Sequence, residues 1–567
     1  MSGALVQIYA AASSGYGAMA TALLSTPVKT DAAGGFSVTT SFTCPSSSAP
    51  IYLVARGGNP GLAAGTNNSA LALMVALGPC AGASASTVIS INEVTTAASV
   101  WALAQFMSPG ANVGTSSGNA PGLANAFAMV NNLVNIGGGA APGPALPAGA
   151  VAPTSELNTL ANILNSCAGS NGGTGECAQL FLAVSPSGGT QPTDTIDAAL
   201  DIALNPGQNP GAVYNLQSVG SPFQPRLSGA PADWTMVVNY TGGGLNGPAS
   251  LAIDQTGNVW IADYYGAVTE LSSLGQALSP SGGFTGGGLN ESYGLAIDAG
   301  GNVWVTNQQS PGSVNGGLGS VTELGSSGQI LSGSSGGFSG GGVDFPVAVA
   351  ADSSGNIWIS NYGVSTATVL SDAGAPLSSA SGYGSGELNF PVAIAIDAEH
   401  NAWLANQGAT TVTSISPDGT EVNQVPCCNG PSALAIDGHG NTWVANFYGN
   451  SVSELSAAGT VLSNGYTGGG LLRPQGIAVD GKGNVWVTNY HGNSITELEG
   501  ADGTSPGSAL SPAGGFGQAA GLSLPFALAI DRSGNLWVSN FAGNTVTESI
   551  GAAVPVKTPL LGPAQEP

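Results

Sequence analysis

The C-terminal half of the chain repeats one alternating pattern of apolar and polar positions seven times. Each copy reads Ala-Ile-Asp-x-x-Gly-Asn-x-Trp-x-x-Asn with small variations, and the Trp stands six residues after the Asp. Successive copies are 44, 54, 45, 40, 43 and 51 residues apart. The seven Asp residues are Asp254, Asp298, Asp352, Asp397, Asp437, Asp480 and Asp531. Agreement over seven copies indicates an internal repeat.

One copy is long enough for a small antiparallel sheet. Leu251–Ile253 alternates as a short strand, Asp254 can accept backbone N–H groups in a turn, and Gly257 supplies the positive φ that closes it. Val259–Ala262 and Ala267–Leu271 predict a second and a third strand, and a weaker fourth strand precedes a glycine-rich loop. Four strands in about 40–50 residues is the size of one β-propeller blade. We expect the Trp side chains to pack between blades and the Asp side chains to cap turns rather than bind calcium.

The seventh copy has no evident fourth strand after it. Its third strand ends at Ser549, and Val554–Pro559 contains two prolines, which pair poorly within a sheet. Trp234–Val238 precedes the first copy, where an outer strand belongs. We therefore expect Trp234–Val238 to complete the last blade and close the ring, which removes the open edge.

The N-terminal half passes from alternating to helical spacing. Stretches at Gly3–Tyr9, Thr30–Val38 and Ile51–Ala55 predict strands, so residues 1–57 are assigned to a partial β-sandwich and residues 58–232 to a helical and linker domain. The apolar spacing predicts four helices, at Ile91–Met107, Gly122–Ile136, Thr154–Cys167 and Thr193–Leu204. Residues 233–567 form the repeat domain. The predicted fold class is mostly β, a seven-bladed β-propeller preceded by a small β-sandwich and a helical domain.

Composition narrows the classes of partner. Charged residues make up 7% of the chain, against roughly 25% in an average soluble protein. Seven Lys and Arg stand against 31 Asp and Glu, a net charge of −24. Binding to nucleic acid or to an anionic membrane surface needs clusters of Lys and Arg, and none exists here. No apolar run is long enough to span a bilayer, so membrane insertion is not expected.

Cysteine usage favours an oxidising compartment. The six cysteines include no Cys-x-x-Cys pair and the chain has three His, which argues against zinc. We predict disulfides Cys44–Cys80 and Cys167–Cys177; Cys427–Cys428 could form a vicinal bond, and buried free thiols are the alternative throughout. An extracellular or cell-envelope location follows. The N-terminus lacks the features of a signal peptide, so we expect the native start to lie upstream, while a native start at Met1 stays open.

The segment after each Trp-x-x-Asn is the candidate binding surface. It joins the second and third strands, and in all copies it falls on the same propeller face as the glycine-rich loops. A ring of aromatic and amide side chains with little charge suits a sugar or a peptide chain. The alternative is that these side chains cap blade edges without meeting a ligand. The candidate ligand-binding residues are Tyr264, Tyr265, Gln308, Tyr362, Gln407, Phe447, Tyr448, Tyr490, His491 and Phe541.

The repeats resemble known propeller families. Pro474–Asp480, followed by Gly483-Asn484 and by Trp486-Val-Thr-Asn489, is similar to NHL-type repeats and to the propeller of streptogramin (virginiamycin B) lyases. Such a lyase would need His and acidic side chains gathered at one mouth, and His491 alone qualifies, since the other two histidines belong to the first turns. We therefore predict no catalytic residue, no metal and no cofactor. Gly3–Tyr9 and Thr30–Val38 resemble a carboxypeptidase-regulatory-like β-sandwich that lacks its first strand.

These observations lead to a binding function. The expected protein is an extracytoplasmic binding or surface-interaction protein that uses one propeller face to bind a glycan, a peptide or a partner protein. The alternatives are a streptogramin-lyase-like enzyme acting at the propeller mouth, and a structural subunit of an extracellular assembly. A missing first strand would leave an open edge along Gly3–Tyr9, through which molecules could associate.

Overall fold

The computed structural model describes residues 1–84, 86–170, 174–186, 188–217, 221–309, 318–333, 336–518 and 521–567. The chain is mostly β and divides into two compact units. The first, which we call the N-terminal unit, comprises Met1–Val238 with Ser533–Asn535 and Ser549–Ala552. The second, the repeat unit, comprises Asn239–Arg532, Leu536–Glu548 and Ala553–Pro567.

The N-terminal unit contains one antiparallel sheet of five strands. The strands are β1 (Leu5–Ala10), β2 (Thr21–Ala22), β3 (Val28–Lys29), β4 (Pro50–Arg56) and β5 (Ala72–Pro79). Their order is β2-β1-β4-β5, and β3 also pairs with β1. The sheet thus continues past residue 57, and the sandwich and the domain boundaries stay predictions.

The strand expected over Thr30–Val38 does not form. Only the two-residue β3 lies nearby, because Asp31 turns the chain: its Oδ1 accepts the N–H groups of Ala33 and Gly35, each at 2.8 Å. Gly34, with φ of 85°, completes the turn. A side chain that offers backbone N–H groups a local acceptor competes with strand pairing.

The outer edge of β1 is covered within the chain. Its two ends pair with β2 and β3. In the gap between them, Gln7 Oε1 accepts the N–H of Leu24 at 3.1 Å and Gln7 Nε2 donates to the Leu24 carbonyl at 2.9 Å. The N–H of Leu23 donates to the carbonyl of Ile8 at 2.8 Å. The open edge expected along Gly3–Tyr9 is therefore filled, and the basis for self-association there is lost.

Six α-helices occur among the described residues. They are α1 (Glu93–Leu103), α2 (Ala120–Leu133), α3 (Thr154–Ser166), α4 (Glu176–Val184), α5 (Thr195–Leu204) and α6 (Pro210–Tyr214). The sequence pattern predicted α1, α2, α3 and α5 but not α4 or α6. The side chain of Asp194 caps α5 by accepting the N–H groups of Ile196 and Asp197, as expected of an acidic N-cap. In the described ranges, no helix combines the length and apolarity needed to cross a bilayer.

The repeat unit is built from seven antiparallel sheets, which we number in chain order. Each sheet has the same three strands, paired first to second and second to third. The first strands are Pro248–Ile253, Ser292–Ile297, Pro346–Ala351, Pro391–Ile396, Pro431–Ile436, Pro474–Val479 and Pro525–Ile530. The second strands are Val259–Asp263, Val303–Asn307, Ile357–Asn361, Ala402–Asn406, Thr442–Asn446, Val485–Asn489 and Leu536–Asn540. The third strands are Ala267–Leu271, Ser320–Leu324, Thr366–Leu370, Thr411–Ile415, Ser451–Leu455, Ser494–Leu498 and Thr545–Ser549.

The seven sheets form a closed cycle around their first strands. Each first strand contacts the first strand of the next sheet, and the seventh contacts the first. Sheets 4 and 5 add fourth strands at Val422–Pro426 and Val461–Tyr466. We call this arrangement the ring.

The fourth strand of sheet 7 comes from the other end of the repeat. Val237–Tyr240 pairs with the third strand of sheet 7, so the predicted closure forms, three residues later than expected. Tyr240 stacks on Trp537 at 5.6 Å between ring centroids, and its hydroxyl donates to Glu548 at 2.6 Å. Trp234 lies outside the strand; it is buried, and its carbonyl accepts the indole N–H of Trp101.

The repeated Asp and Trp are joined at the turn between the first and second strands. In the first six copies, Asp Oδ1 accepts the backbone N–H groups two and four residues further on. In every copy except the third, Asp Oδ2 accepts the indole N–H of the Trp at 2.9 to 3.3 Å. All seven Trp side chains are buried. We call the side of the ring that carries these turns the turn end.

The C-terminal segment Ala553–Pro567, which we call the tail, covers the turn end. Val556 donates its N–H to the carbonyl of Asp531, the hydroxyl of Thr558 donates to the carbonyl of Asp254, and Ala564 donates its N–H to the carbonyl of Ile436. A cavity of about 210 Å³ remains between the tail and the C-terminal halves of the first strands. The tail thus forms no ladder, as its prolines predict, but it closes one end of the central channel.

Candidate functional site

The opposite end of the ring, which we call the rim, presents seven equivalent positions. The rim consists of the loops joining the second and third strands, together with the residue preceding each first strand. The first loop residue in each sheet donates its backbone N–H to the carbonyl of that preceding residue at 2.8 to 3.2 Å. The seven donors are Tyr264, Gln308, Tyr362, Gln407, Phe447, Tyr490 and Phe541, all of them predicted site residues.

The seven acceptors share a strained backbone. Their φ angles are all positive, and five of them are not glycine. They are Gly247, Glu291, Phe345, Phe390, Gly430, Arg473 and Leu524. A left-handed conformation costs a residue with a side chain about 1 kcal/mol or more, and it persists only where the surroundings fix it. The rim is therefore a rigid frame on which side chains can vary.

In six of the seven sheets, a buried Asn at the end of the second strand fixes the frame. In sheet 5, Asn446 Oδ1 accepts the N–H of Asn429 at 3.3 Å, while Nδ2 donates to the hydroxyls of Ser451 and Ser453 at 3.2 and 2.8 Å. In the five other sheets that have Asn here, its Nδ2 likewise donates to a Thr hydroxyl of the third strand. The loop that follows is thus held at both ends, which explains why the next residue is presented in the same way each time.

Sheet 1 has a carboxyl group where the other six sheets have this amide. Asp263 Oδ1 accepts the N–H of Asn246 at 3.0 Å, and Oδ2 lies 2.7 Å from the hydroxyl of Thr269. Burial raises the pKa of Asp263 to about 7. The Thr269 hydroxyl also lies 3.0 Å from the carbonyl of Gly243, and it has one proton to donate. A protonated Asp263 that donates to Thr269 reproduces the Asn arrangement of the other sheets.

Aromatic side chains form a continuous cluster across sheets 5, 6, 7 and 1. Tyr264 contacts Phe541 at 5.9 Å between centroids, Phe541 contacts Phe526 at 5.8 Å, and Phe526 contacts Tyr490 at 6.0 Å. Tyr490 then contacts Phe447 at 6.3 Å. The exposed members at the edge of this cluster are Tyr265, Tyr448 and His491. Seven predicted site residues thus meet in one surface.

The remaining three predicted residues lie in sheets 2 to 4. Tyr362 packs against Phe390 at 4.7 Å between centroids, while Gln308 is buried and Gln407 is half-buried. All three line a cavity of about 550 Å³ on the rim side of the central channel. In sheets 2 to 4 the rim therefore combines the amides of Gln308 and Gln407 with the ring of Tyr362.

The cavity includes residues that sequence reasoning missed. Tyr293, Gln475 and Phe526 line it from the second position of their first strands. Tyr293 contacts Phe526 at 5.6 Å between centroids, and burial raises the pKa of its hydroxyl well above the usual range. The signal was available: in the other four sheets the same position holds Ala, Val, Val or Ser, so a large side chain there departs from the repeat.

Among the described residues that line this cavity, tyrosine is the only ionisable side chain. The polar groups of these residues are amides, hydroxyls and backbone, and a general acid or base of the usual kind, such as His, Asp, Glu or Lys, is not among them. His400 and His439 lie instead in turns, near Asp352 and Asp502. Among the described residues no group of three His, Cys, Asp or Glu side chains could hold a metal ion. The site is suited to contact and hydrogen bonding.

All six cysteines are paired. The structure joins Cys44 to Cys80, Cys167 to Cys177 and Cys427 to Cys428. The vicinal pair occupies the loop between sheets 4 and 5 and packs in one core cluster with Trp403. The carbonyl of Cys427 accepts the hydroxyl of Ser453, a role that glycine-rich loops fill elsewhere. The vicinal pair is thus part of the ring's framework.

Comparison with known proteins gives structural similarity alone. No protein family and no curated protein matches the sequence. A streptogramin B lyase structure is 13% identical, with a TM-score of 0.44 over 55% of this chain and 96% of that chain. The WD40 β-propeller domain of Doa1 is 12% identical, with a TM-score of 0.39 over 54% and 94%. A gluconolactonase from Xanthomonas campestris is 14% identical, with a TM-score of 0.34 over 55% and 96%. We infer no activity from these similarities.

Proposed function

We propose that the repeat unit is a seven-bladed β-propeller that binds a glycan or an extended peptide at its rim. One observation carries the proposal: an uncharged cavity of about 550 Å³ opens beside a continuous aromatic cluster on a rigid frame. Aromatic faces stack on the C–H faces of sugars and on apolar side chains, while amides bond hydroxyls or peptide groups. A frame that is already ordered lowers the entropy lost on binding.

Two further features support an extracytoplasmic binding role. The pairing of all six cysteines is what an oxidising compartment permits. The lining residues that the structure describes are amides, hydroxyls, aromatic rings and apolar side chains, a composition that favours binding over a lyase-like activity. We propose location outside the cytoplasm, at the cell surface or in the surrounding medium.

A glycan and peptide array probed with the full chain tests this function. We expect wild-type protein to bind a subset of the array and the double variant Tyr448→Ala/Tyr490→Ala to bind that subset at least about tenfold more weakly. The variant should keep its unfolding midpoint, because Tyr448 is 57% exposed and Tyr490 half-buried.

The matched control is Leu462→Ala, which removes an exposed apolar side chain from the fourth strand of sheet 5, away from the rim. Its binding should equal that of wild type. Failure of wild-type protein to bind any glycan or peptide would overturn the proposed function, as would a double variant that loses stability and binding together.

A further inference from the structure

Arg473 is the one Lys or Arg in the rim, and it is stacked on the aromatic cluster. It directly precedes the first strand of sheet 6 and is half-buried. Its Cζ lies 5.1 Å from the ring centroid of Phe447 and 5.2 Å from that of Tyr448. These two rings meet edge to face at 5.3 Å, so the guanidinium occupies the corner between them.

In the part of the chain that the structure describes, this guanidinium has aromatic neighbours but neither a hydrogen-bond acceptor nor an ion-pair partner. The other three arginines differ, since each donates to a carboxylate, an amide or a carbonyl oxygen; they are Arg56, Arg226 and Arg532. Its five N–H donors remain available around the edge of a plane whose face is covered by aromatic rings.

The backbone holds Arg473 in place on both sides. Its N–H donates to Asn450 Oδ1 at 2.8 Å, and its carbonyl accepts the N–H of Tyr490 at 3.1 Å. Its φ of 51° is left-handed, at a position where two of the seven copies have glycine. The other copies carry Gly, Glu, Phe or Leu here with the same left-handed backbone, so the fold does not dictate which side chain stands at this position.

We propose that Arg473 binds the carboxylate of an acidic sugar within an otherwise neutral glycan. A planar carboxylate can accept two parallel N–H bonds from the guanidinium edge, while the sugar ring packs on the exposed face of Tyr448. The inference rests on the proposed function of glycan or peptide binding at the rim.

The charge balance favours one acidic sugar over an acidic peptide. A single Arg neutralises a single carboxylate, and a ligand with several carboxylates would meet the field of a chain with net charge −24. The adjoining cavity offers amide groups, Gln475 among them, which suit the hydroxyls of neutral sugars. Acidic peptides therefore serve as an alternative outcome of the test.

An array of uronate-containing oligosaccharides, each printed beside its carboxyl-reduced neutral counterpart, tests the proposal with the full chain. We expect wild-type protein to bind the acidic member of at least one pair about tenfold more tightly than the neutral member. Arg473→Gln should reduce that ratio to about one while leaving binding of the neutral sugar within about twofold.

Lys482→Gln is the matched control. It removes the same charge from sheet 6, but in the turn after the first strand rather than in the rim. Its acid-to-neutral ratio should stay at the wild-type value, which separates a local contact from a change in net charge.

Three results would overturn the proposal, and they differ in what else they remove. If Arg473→Gln prefers the acidic oligosaccharide over its neutral counterpart as strongly as wild type does, the carboxylate site is rejected, while glycan binding at the rim is unaffected. Arg473-dependent binding of acidic peptides, without any uronate binding, rejects the sugar. Binding of neither sugars nor peptides by wild-type protein rejects the proposed function as well.

Discussion

The two ends of the ring use the same seven copies in opposite ways. At the turn end, the polar atoms of most copies satisfy one another: Asp437, for example, accepts the indole N–H of Trp443 at 2.9 Å and two backbone N–H groups. At the rim, the backbone is equally fixed, but the side chains differ from sheet to sheet and several are left exposed. The Asp and Trp that recur at the turn end thus hold the ring together. The rim side chains, which differ between sheets on a fixed backbone, are the ones that can select a ligand.

The largest effect should come from the turn end. Trp443→Ala empties a fully buried site, so we expect the free energy of unfolding to fall by about 4 kcal/mol. Urea unfolding followed by tryptophan fluorescence measures it. The rim variant Tyr448→Ala, five residues away in the same sheet, is the comparison and should change stability by less than about 0.5 kcal/mol. Equal losses in the two variants would erase the distinction between the ends.

The turn carboxylate should matter nearly as much as the indole. Asp437→Ala leaves the N–H groups of His439 and Asn441 and the indole of Trp443 without their acceptor, and we expect a loss of about 3 kcal/mol in unfolding free energy. Asp437→Asn keeps one acceptor oxygen and should lose about half as much. Calorimetric unfolding of the three proteins checks the order, and an Ala variant as stable as wild type would contradict it.

A smaller change in stability, and a gain rather than a loss, is expected at Asp263, which stands where the other six sheets have Asn. The folded-state pKa of Asp263, about 7, lies above the value of about 3.9 in an unfolded chain. The folded state then holds the proton more tightly, so stability falls as pH rises from about 4 to about 7 and stays low above that. Asp263→Asn should remove this loss and gain about 2 kcal/mol at pH 8, with little gain at pH 4.5.

Unfolding at both pH values, compared between the wild type and Asp263→Asn, isolates this group from other buried carboxyls. The reciprocal variant Asn446→Asp in sheet 5 is the control and should introduce the same downward slope with pH. If Asp263→Asn raises the free energy of unfolding by the same amount at pH 4.5 and at pH 8, Asp263 does not titrate in this range.

The smallest effect should come from the most exposed tyrosine of the cluster. Tyr265 is 67% exposed, so Tyr265→Ala should change unfolding free energy by less than about 0.5 kcal/mol. Thermal unfolding by circular dichroism suffices to measure it. The half-buried neighbour variant Tyr293→Ala should lower the free energy of unfolding by more, about 2 kcal/mol, because its ring lies in the cavity wall and packs on Phe526. A costly Tyr265→Ala would place this residue in the frame rather than on the binding surface.

Much of the ring could be predicted because its determinants are local. Asp254, Gly257 and Trp260 lie within one turn and one strand, so spacing alone reveals what they do. The rim positions followed for the same reason, since each comes directly after a second strand. The fourth strand of the last sheet was placed three residues early because Trp234 resembles a strand residue, while its actual role is burial beside Trp101.

What sequence reasoning missed depends on contacts between distant segments. Tyr293 and Phe526 face the cavity from different sheets, 233 residues apart (526 − 293), and only the closed ring brings them together. The edge of β1 was expected to be open because the first strand of the similar β-sandwich has no counterpart in the sequence, yet the Gln7 amide bonds the backbone of Leu24 along that edge. The tail is proline-rich and has no regular spacing of apolar residues, so its position over the turn end could not be predicted from the sequence.

The tail also sets an order of assembly. Its hydrogen-bond partners, which include Asp254, Ile436, Asp480 and Asp531, come from sheets 1, 5, 6 and 7. These groups stand together only once the first and last sheets have met. During synthesis the tail leaves the ribosome after all seven sheets, because it follows them in the chain. The tail can therefore make its full set of contacts only after the ring has closed, because the hydrogen bond from Thr558 to Asp254 reaches the first sheet while the others reach sheets 5, 6 and 7.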